Sequence, residues 1–470
     1  MSYKVPQTQR ALVFQGGGAL GAYNAGVFKA LYEKIGKKDG FDIVAGTSSG
    51  GMNGAILVSH VIESGTWEGS LGKLDAFWDH LSTGSYADLI PGFREWWHYW
   101  HNINPSIASG EAARRYYSAK QFLYSGVPHV YLPQFWTPYL PFSGLPRMDY
   151  KFFDLIFPPN IWYVYTNQPL RESLGRFANF PIATSFDQNQ PRLLLVSADV
   201  QESAAVTFDS YPKDDKGTIR ESKYRGGHYE YTISYPDGIK LDHVMTSASV
   251  PINYDYAKIS DVSKLDKQNN SSSETRYFWD GGTLSNTPLR ELIQWHKDYW
   301  YRVKGKQADD AQVPNLDVYI VDVWPTVEDN VPQDHDGVQG RELDLIMNDK
   351  TGYDQKVADI VSDYIKLFQK TRDLALKSMK GQNEKKAFQT DLDNLLTKEK
   401  AKSKHRSGQP RQYKDLINGR FDVKVTRIKR RDIKNEIFNE MLDFSKETIQ
   451  RLKEDGYHDA VKRLEEDSPQ

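Results

Sequence analysis

The chain has 470 residues, with 60 lysines and arginines against 62 aspartates and glutamates, a net charge of −2 and no cysteine. That length suits one large domain with appendages or two to three ordinary ones. The balanced charge gives no global field for nucleic acid, and the missing cysteines exclude disulfides, thiolate metal sites and a cysteine nucleophile.

In chain order, "MSYKVPQTQR" is polar and lacks the apolar core of a secretory signal. No run of about 18 apolar residues is present, so a spanning helix is not expected. A cytoplasmic or peripherally membrane-associated protein is the expectation. Residues 10 to 60 read as β-α-β-α. Ala11 to Gln15 form a short strand, and Val27, Phe28, Leu31 and Ile35 share a helix face. Gly36 is placed to stop that helix, "KKDG" turns the chain, and "FDIVAG" (41 to 46) is a second strand. "GGMNGAILVSHVI" then reads as a buried helix of small residues. Strand, crossover helix and strand within about 30 residues make the two strands parallel.

From 66 to 180 aromatics and prolines crowd together and periodicity fades. This reads as a long excursion from the sheet, expected to be a lid, a membrane-contacting surface or buried core. "PRLLLVSADV" (191 to 200), "AAVTFDS" (204 to 210), "TRYFWDGG" (275 to 282) and "NLDVYIVDVWP" (315 to 325) read as strands, with "DKQNNSSSE" (266 to 274) as a polar loop. Beyond Pro325, residues 353 to 380 have helical spacing and 398 to 414 form a basic connection, which could add attraction to anionic lipid. Phe421, Val423 and Val425 alternate as in a half-buried strand, and Ile433, Ile437, Met441 and Ile449 suggest one amphipathic helix.

Gly16, Gly18 and Gly21 fit the G-x-G-x-x-G of a dinucleotide turn. That reading needs an acid at the end of the second strand to hold a ribose. Asp39 and Asp42 lie before or at the strand's start, and its end is "AGTSSG". A serine in a G-x-S-x-G frame (Gly46, Ser48, Gly50) stands where the acid should be. Such a frame turns a strand sharply into a helix, exposing the middle side chain while its small neighbours let backbones pack. Parallel strands joined by one crossover end on one rim, so the Gly16–Gly17–Gly18 loop should lie close to Ser48. Its bare amides suit an oxyanion hole. A serine also needs a base. Asp280, just past an apolar strand and before Gly281 and Gly282, is the downstream candidate, and Phe278 and Trp279 beside it could raise its pKa by burial.

"GGGALG", "GTSSG" and "DGG", in this order, resemble the patatin-like phospholipases. "TSASVPINY" (246 to 254) resembles that family's A-S-x-A-x-P stretch, which is expected to shape the pocket, and "GYHDA" (456 to 460) resembles larger bacterial members. Where the family often has Arg or Lys, this chain has Leu20.

The resemblance implies an α/β fold, a three-layer α/β/α with a mostly parallel central sheet, here with the aromatic-rich insertion and a mainly helical C-terminal extension. The expected division is 1–330 for the hydrolase domain and 331–470 for the extension. The resemblance further implies Ser48 as nucleophile, Asp280 as base, and Gly16, Gly17 and Gly18 as the oxyanion hole, with Gly21, Gly46, Gly50, Gly281 and Gly282 supporting the motifs. Phospholipids or other lipid esters are the implied substrates, with no metal or organic cofactor, and peripheral membrane contact is expected.

Three alternatives stay open. A Ser-His-Asp hydrolase would draw its base from His296, His335, His405 or His458. A dinucleotide-binding oxidoreductase and a non-catalytic lipid-binding scaffold are the others. His98 and His101 in "WWHYWHN" read as incidental to an aromatic cluster rather than a metal site, and "QDHDGVQGRE" (333 to 342) reads as a solvated loop.

Overall fold

In a computed structural model of the chain, the structure describes residues 4–35, 40–84, 110–134, 162–213, 220–306, 308, 311–327, 331, 333, 335–404, 410–431 and 439–466. In chain order the elements are β1 (Thr8–Phe14), α1 (Gly21–Ile35), β2 (Ile43–Thr47), α2 (Ser49–Ser64), α3 (Ser70–Leu81), α4 (Gly110–Ser125), β3 (Leu132–Pro133), β4 (Tyr165–Thr166), α5 (Gln168–Phe177), β5 (Arg192–Asp199), β6 (Ala204–Asp209), β7 (Glu221–Gly226) and β8 (Tyr229–Ser234). They continue with α6 (Leu241–Ala248), β9 (Ala257–Leu265), β10 (Ser271–Asp280), α7 (Leu289–Lys297), β11 (Asn315–Asp322), α8 (His335–Met347), α9 (Gly352–Ser378), α10 (Gln382–Lys398), β12 (Lys400–Lys404), β13 (Pro410–Gln412), α11 (Lys414–Ile417), β14 (Val423–Lys429) and α12 (Lys446–Glu466).

Ten strands form one sheet in the order β14-β11-β1-β2-β5-β10-β9-β8-β7, with β6 on the other edge of β5. The half from β14 to β5 is parallel throughout. Its strands are near-continuous apolar runs because helices cover both faces. Leu12, Phe14, Val44 and Leu195 face α1, α2, α3 and α12, while Ala11, Val13, Ala45, Val318 and Ile320 pack on Leu289, Leu292 and Trp295 of α7.

One register positions the site. Strand β2 pairs with the start of β5 and ends at Thr47 opposite Val196. Strand β10 runs antiparallel and pairs with the end of β5, placing Asp280 opposite Ser197. Because β6 occupies the far edge of β5 along Leu194–Asp199, β2 and β10 share the near edge and meet tip to tip. Asp280 therefore reaches the rim on an antiparallel strand arriving from beyond β2.

Chain 423–429 enters the same sheet as its edge strand, parallel to β11. Helix α12 packs along α1 at a crossing of small residues: a Cβ on Gly456 would collide with the Tyr23 carbonyl, and one on Gly26 with the Lys453 carbonyl. Tyr23 Oη donates to Asp459 at 2.9 Å across that seam. Described parts of 66–180 reach the core: Leu74, Phe77, Trp78 and Leu81 of α3 are buried, and Trp78 Nε1 donates to Asn53 Oδ1 at 3.0 Å. Residues 85–109 and 135–161, with His98 and His101, lie outside the described residues.

Several local expectations change. Residues 335–342 belong to α8 rather than a loop, because Arg341 ties the helix to the Thr326 carbonyl at 3.1 Å and Leu343 and Met347 pack on the core. The stretch 266–274 is a hairpin turn plus the exposed start of β10; Asp266 Oδ1 accepts the Gln268 and Asn270 amides at 2.8 Å each. Part of 398–414 pairs as the β12–β13 ladder. Met441 and Ile449 do not share a helix: Met441 sits in the turn Glu440–Leu442, and Asp443 accepts from Ser445 N and Thr448 Oγ1 (3.1 and 2.6 Å), starting a new helix after it. Ile433 and Ile437 lie outside the described residues.

Candidate active site

Ser48 is the hinge between β2 and α2. Its backbone has φ 55° and ψ −128°, a left-handed conformation that costs a non-glycine residue of order 1–3 kcal/mol. Close packing enforces it. A Cβ on Gly46 would strike the Gly50 carbonyl, and one on Gly50 would strike the Phe14 carbonyl, so the strand, the turn and the neighbouring strand can approach only with glycine at both positions. The turn is pinned by Ser247, whose Oγ accepts the Ser48 amide at 2.9 Å and donates to the Val196 carbonyl at 2.5 Å. Thr47 Oγ1 donates to the Ser285 carbonyl at 2.9 Å, tying the same turn to the segment after β10.

The structure brings Asp280 against this hinge. Its carboxyl lies near enough to the Ser48 side chain for that group to lower its pKa, Oδ1 accepts the Gly282 amide at 2.7 Å, and its own amide donates to the Ser249 carbonyl at 2.8 Å. It is 5% exposed. Burial pushes its pKa up to about 6, against the smaller opposing effects of the nearby Ser48 side chain and the Gly282 amide. A carboxyl at that value is mostly ionised at neutral pH yet far more basic than one in water.

The glycine loop lies alongside. A Cβ on Gly16 would come within 2.8 Å of Ser48 Cβ. Its amide faces the Asn286 carbonyl at 3.4 Å, and its carbonyl accepts from Asn286 Nδ2 (3.2 Å) and Trp324 Nε1 (2.6 Å). The Gly17 amide donates to Ser49 Oγ at 3.1 Å. Gly18 opens the short turn Gly18–Leu20 at φ 57°, ahead of its first hydrogen bond, Leu20 N to Gly17 O at 3.1 Å. Gly21 packs on Ser49, where a Cβ would fall 2.7 Å from the serine's own. Leu20 is fully buried. The N-terminus of α2 also points at the hinge, favouring negative charge there.

Gln15, Asn286 and Ser247 join the site without having been singled out beforehand. Gln15 and Asn286 both donate to the Met347 carbonyl (3.1 and 2.8 Å), so the end of α8 is bound to the glycine loop. Ser247 lay within the A-S-x-A-x-P-like stretch; Asn286, in "SNTP", carried only a turn signal.

The other candidates sit elsewhere. His296 is buried on α7, bonded to the Pro314 carbonyl at 2.8 Å and packed on Phe421, and burial drives its pKa down to about 3. His458 is exposed on α12, His405 lies outside the described residues, and the His335 side chain is not among those described. Asp42 accepts the Arg10 amide at 2.7 Å at the opposite end of β2 from the glycine loop, and Asp39 lies outside the described residues. Among the described residues no group of three or more His, Cys, Asp or Glu side chains could hold a metal ion, and no helix is long and apolar enough to cross a membrane.

A serine of left-handed backbone at a strand-to-helix turn, on the parallel half of a mixed sheet covered by helices, is the arrangement of an α/β hydrolase. A family model described as Patatin-like phospholipase matches residues 12–293, spanning the glycine loop, the Ser48 turn and Asp280. The chain belongs to the patatin-like phospholipase family. Among solved structures it is similar to VipD from Legionella pneumophila, at 12% identity and a TM-score of 0.30, covering 98% of this chain and 67% of that one. No curated protein matches it.

Proposed function

We propose that the protein is a serine-dependent lipid acyl hydrolase that cleaves carboxylic esters of phospholipids or lysophospholipids through an acyl-serine intermediate. The family supports lipid hydrolysis in general. The observation that carries the finer reading is the placement of a buried carboxyl of raised pKa, Asp280, beside the left-handed Ser48 turn, with its Oδ1 on the Gly282 amide.

Ionised Asp280 takes the Ser48 proton as Oγ forms a bond to the ester carbonyl carbon. The charge that develops on the carbonyl oxygen is met by the glycine loop and the N-terminus of α2. Within the loop the roles divide: Gly16 and Gly17 hold its shape through Asn286 and Ser49, and the Gly18 amide faces the oxyanion. The tetrahedral species collapses, the carbon–oxygen bond to the alcohol breaks, and Asp280 returns the proton to that leaving oxygen. Asp280 then removes a proton from water, the hydroxide attacks the acyl carbon, and Ser48 leaves as its proton is restored. A fatty acid is released.

The test is labelling by a serine-reactive fluorophosphonate. Wild type should label, Ser48→Ala should not, and Asp280→Asn should label far more slowly. Labelling that persists in Ser48→Ala overturns the assignment.

A further inference from the structure

Helix α9 carries an apolar stripe on its outer side. Tyr353, Val357, Ile360, Tyr364 and Leu367 recur at spacings of four and three, with Leu374 seven residues further on the same face. All are exposed, Tyr353 at 75%, Tyr364 at 70% and Leu374 at 67%. The opposite face is the anchored one. Ile365 is buried there, Ser362 Oγ donates to Asp422 at 2.6 Å, and Lys366 pairs with the same carboxylate at 3.3 Å. The stripe is thus held outward along about 32 Å of helix, far beyond the scattered single apolar residues of an ordinary surface.

Charge is segregated onto the same region. Residues 350–417 contain sixteen lysines and arginines against nine acids, a net +7, which leaves −9 on the rest of a chain whose total is −2. The stripe also begins near the candidate site. Met347, whose carbonyl is bound by Gln15 and Asn286, lies six residues before Tyr353, and Leu345 and Ile346, just ahead of it on α8, are exposed as well.

We infer that α9 and the basic chain around it form the surface by which the protein docks on an anionic phospholipid layer. Apolar side chains with tyrosines at the boundary enter the interface, and the lysines meet the headgroups. A second copy of the chain suits the stripe less well. In a parallel helix pair, Lys356, Asp363 and Lys370 beside the seam would face Val361, Phe368 and Ala375 of the other copy; an antiparallel pair would bring the lysine-bearing flank against itself. The inference rests on the lipid-ester reading of the site for its biological sense, but it is tested without turnover.

The full chain is floated with vesicles of phosphatidylcholine alone or phosphatidylcholine mixed with phosphatidylserine, at low and high salt. Wild type and Ser48→Ala should both bind the mixed vesicles and lose binding as salt rises. The triple variant Ile360→Ser, Tyr364→Ser, Leu367→Ser should bind at least about tenfold more weakly, given what burying such side chains contributes. Lys370→Glu with Lys377→Glu should weaken binding to the mixed vesicles and lessen its salt dependence. Melting curves check that both variants are folded. Wild type that ignores both vesicles, or a folded triple variant that binds as wild type does, overturns the inference. So does a wild type that is dimeric in solution and becomes monomeric in the triple variant, which would give the stripe to a second copy. Loss of fluorophosphonate labelling specificity at Ser48 with intact vesicle binding would fall on the proposed chemistry and leave the docking surface standing.

Discussion

At the level of single residues, the turns that carry Ser48 and Asp280 were legible because each sits in a short pattern with a mechanical meaning, a serine between two glycines at a strand end and an aspartate before two glycines. The direction of the amides was not legible. Three successive glycines announce bare N–H groups, but Asn286 and Ser49 turn two of them away, and those partners come from distant chain. If Asp280 is the base, kcat/KM should rise with pH through about 6 and level off above it, since its ionised form does the work. In Asp280→Asn that limb should vanish and the rate fall by about 10²–10⁴. Ser247 holds the Ser48 amide in place. Replacing it with alanine strands the buried Ser48 amide and the Val196 carbonyl, which should cost about 1–3 kcal/mol in stability. The same variant should lower kcat with KM nearly unchanged, as expected when the substrate binds but the nucleophile is misplaced; a matching change in KM would make its role structural only.

At the level of elements, the parallel strands and α1 and α2 follow from apolar runs and helical spacing, whereas the hairpin of β7 and β8 was passed over. Its signal was present in "ESKYRGGHYEYTIS", an alternating pattern around a Gly-Gly turn, with Gly227 at φ 50°. The orientation of β10 could not be read, because a strand's neighbours fix its direction and nothing local records them. The turn Glu440–Leu442 is a tertiary object too. Glu440 is buried between Arg115 of α4 (2.7 Å) and Arg430 (2.6 Å), and those guanidinium groups hold its carboxyl below the usual carboxylate range despite its burial. The neighbouring Met441 carbonyl packs on Gly18. Glu440→Gln removes a negative partner shared by two buried cations, Arg115 keeping Asp443 at 3.9 Å, and should destabilise the protein by up to about 3–5 kcal/mol in denaturant titration. Because Met441 abuts the glycine loop, activity should decline at denaturant concentrations where global structure persists.

For the whole molecule, the charge balance gave no hint of the +7 region, since a sum near zero hides separation. Nor did it reveal Asp322. This residue ends β11 almost fully buried, and neither carboxylate oxygen has a hydrogen-bond partner among the described residues; the nearby Trp324 amide donates to Gln15 Oε1 instead. Burial, with Asp349 beside it, pushes its pKa up to about 7, and Lys429 and Arg427 offset only part of that. Folding therefore takes up a proton between about pH 4 and 7, so this group's contribution to stability is fully present at the acid end and is lost as pH rises through 7. Asp322→Asn should raise the melting temperature at pH 8, by an amount corresponding to at most about 4 kcal/mol, with the gain disappearing near pH 4. A gain independent of pH would assign the effect to packing.

The meeting of β2 and β10 on a common neighbour has a consequence for how the chain tolerates change. Strand β5 serves as a ruler: the gap between hydroxyl and carboxylate is graduated by its peptide spacing, about 3.3 Å per position, and not by the long connections that separate them. Those connections can lengthen or shorten without altering the gap. Removing one residue from the middle of β5 would shift the graduations and turn one partner to the wrong face, so tolerance to insertion should be high in the exposed connections and close to nil within those few residues.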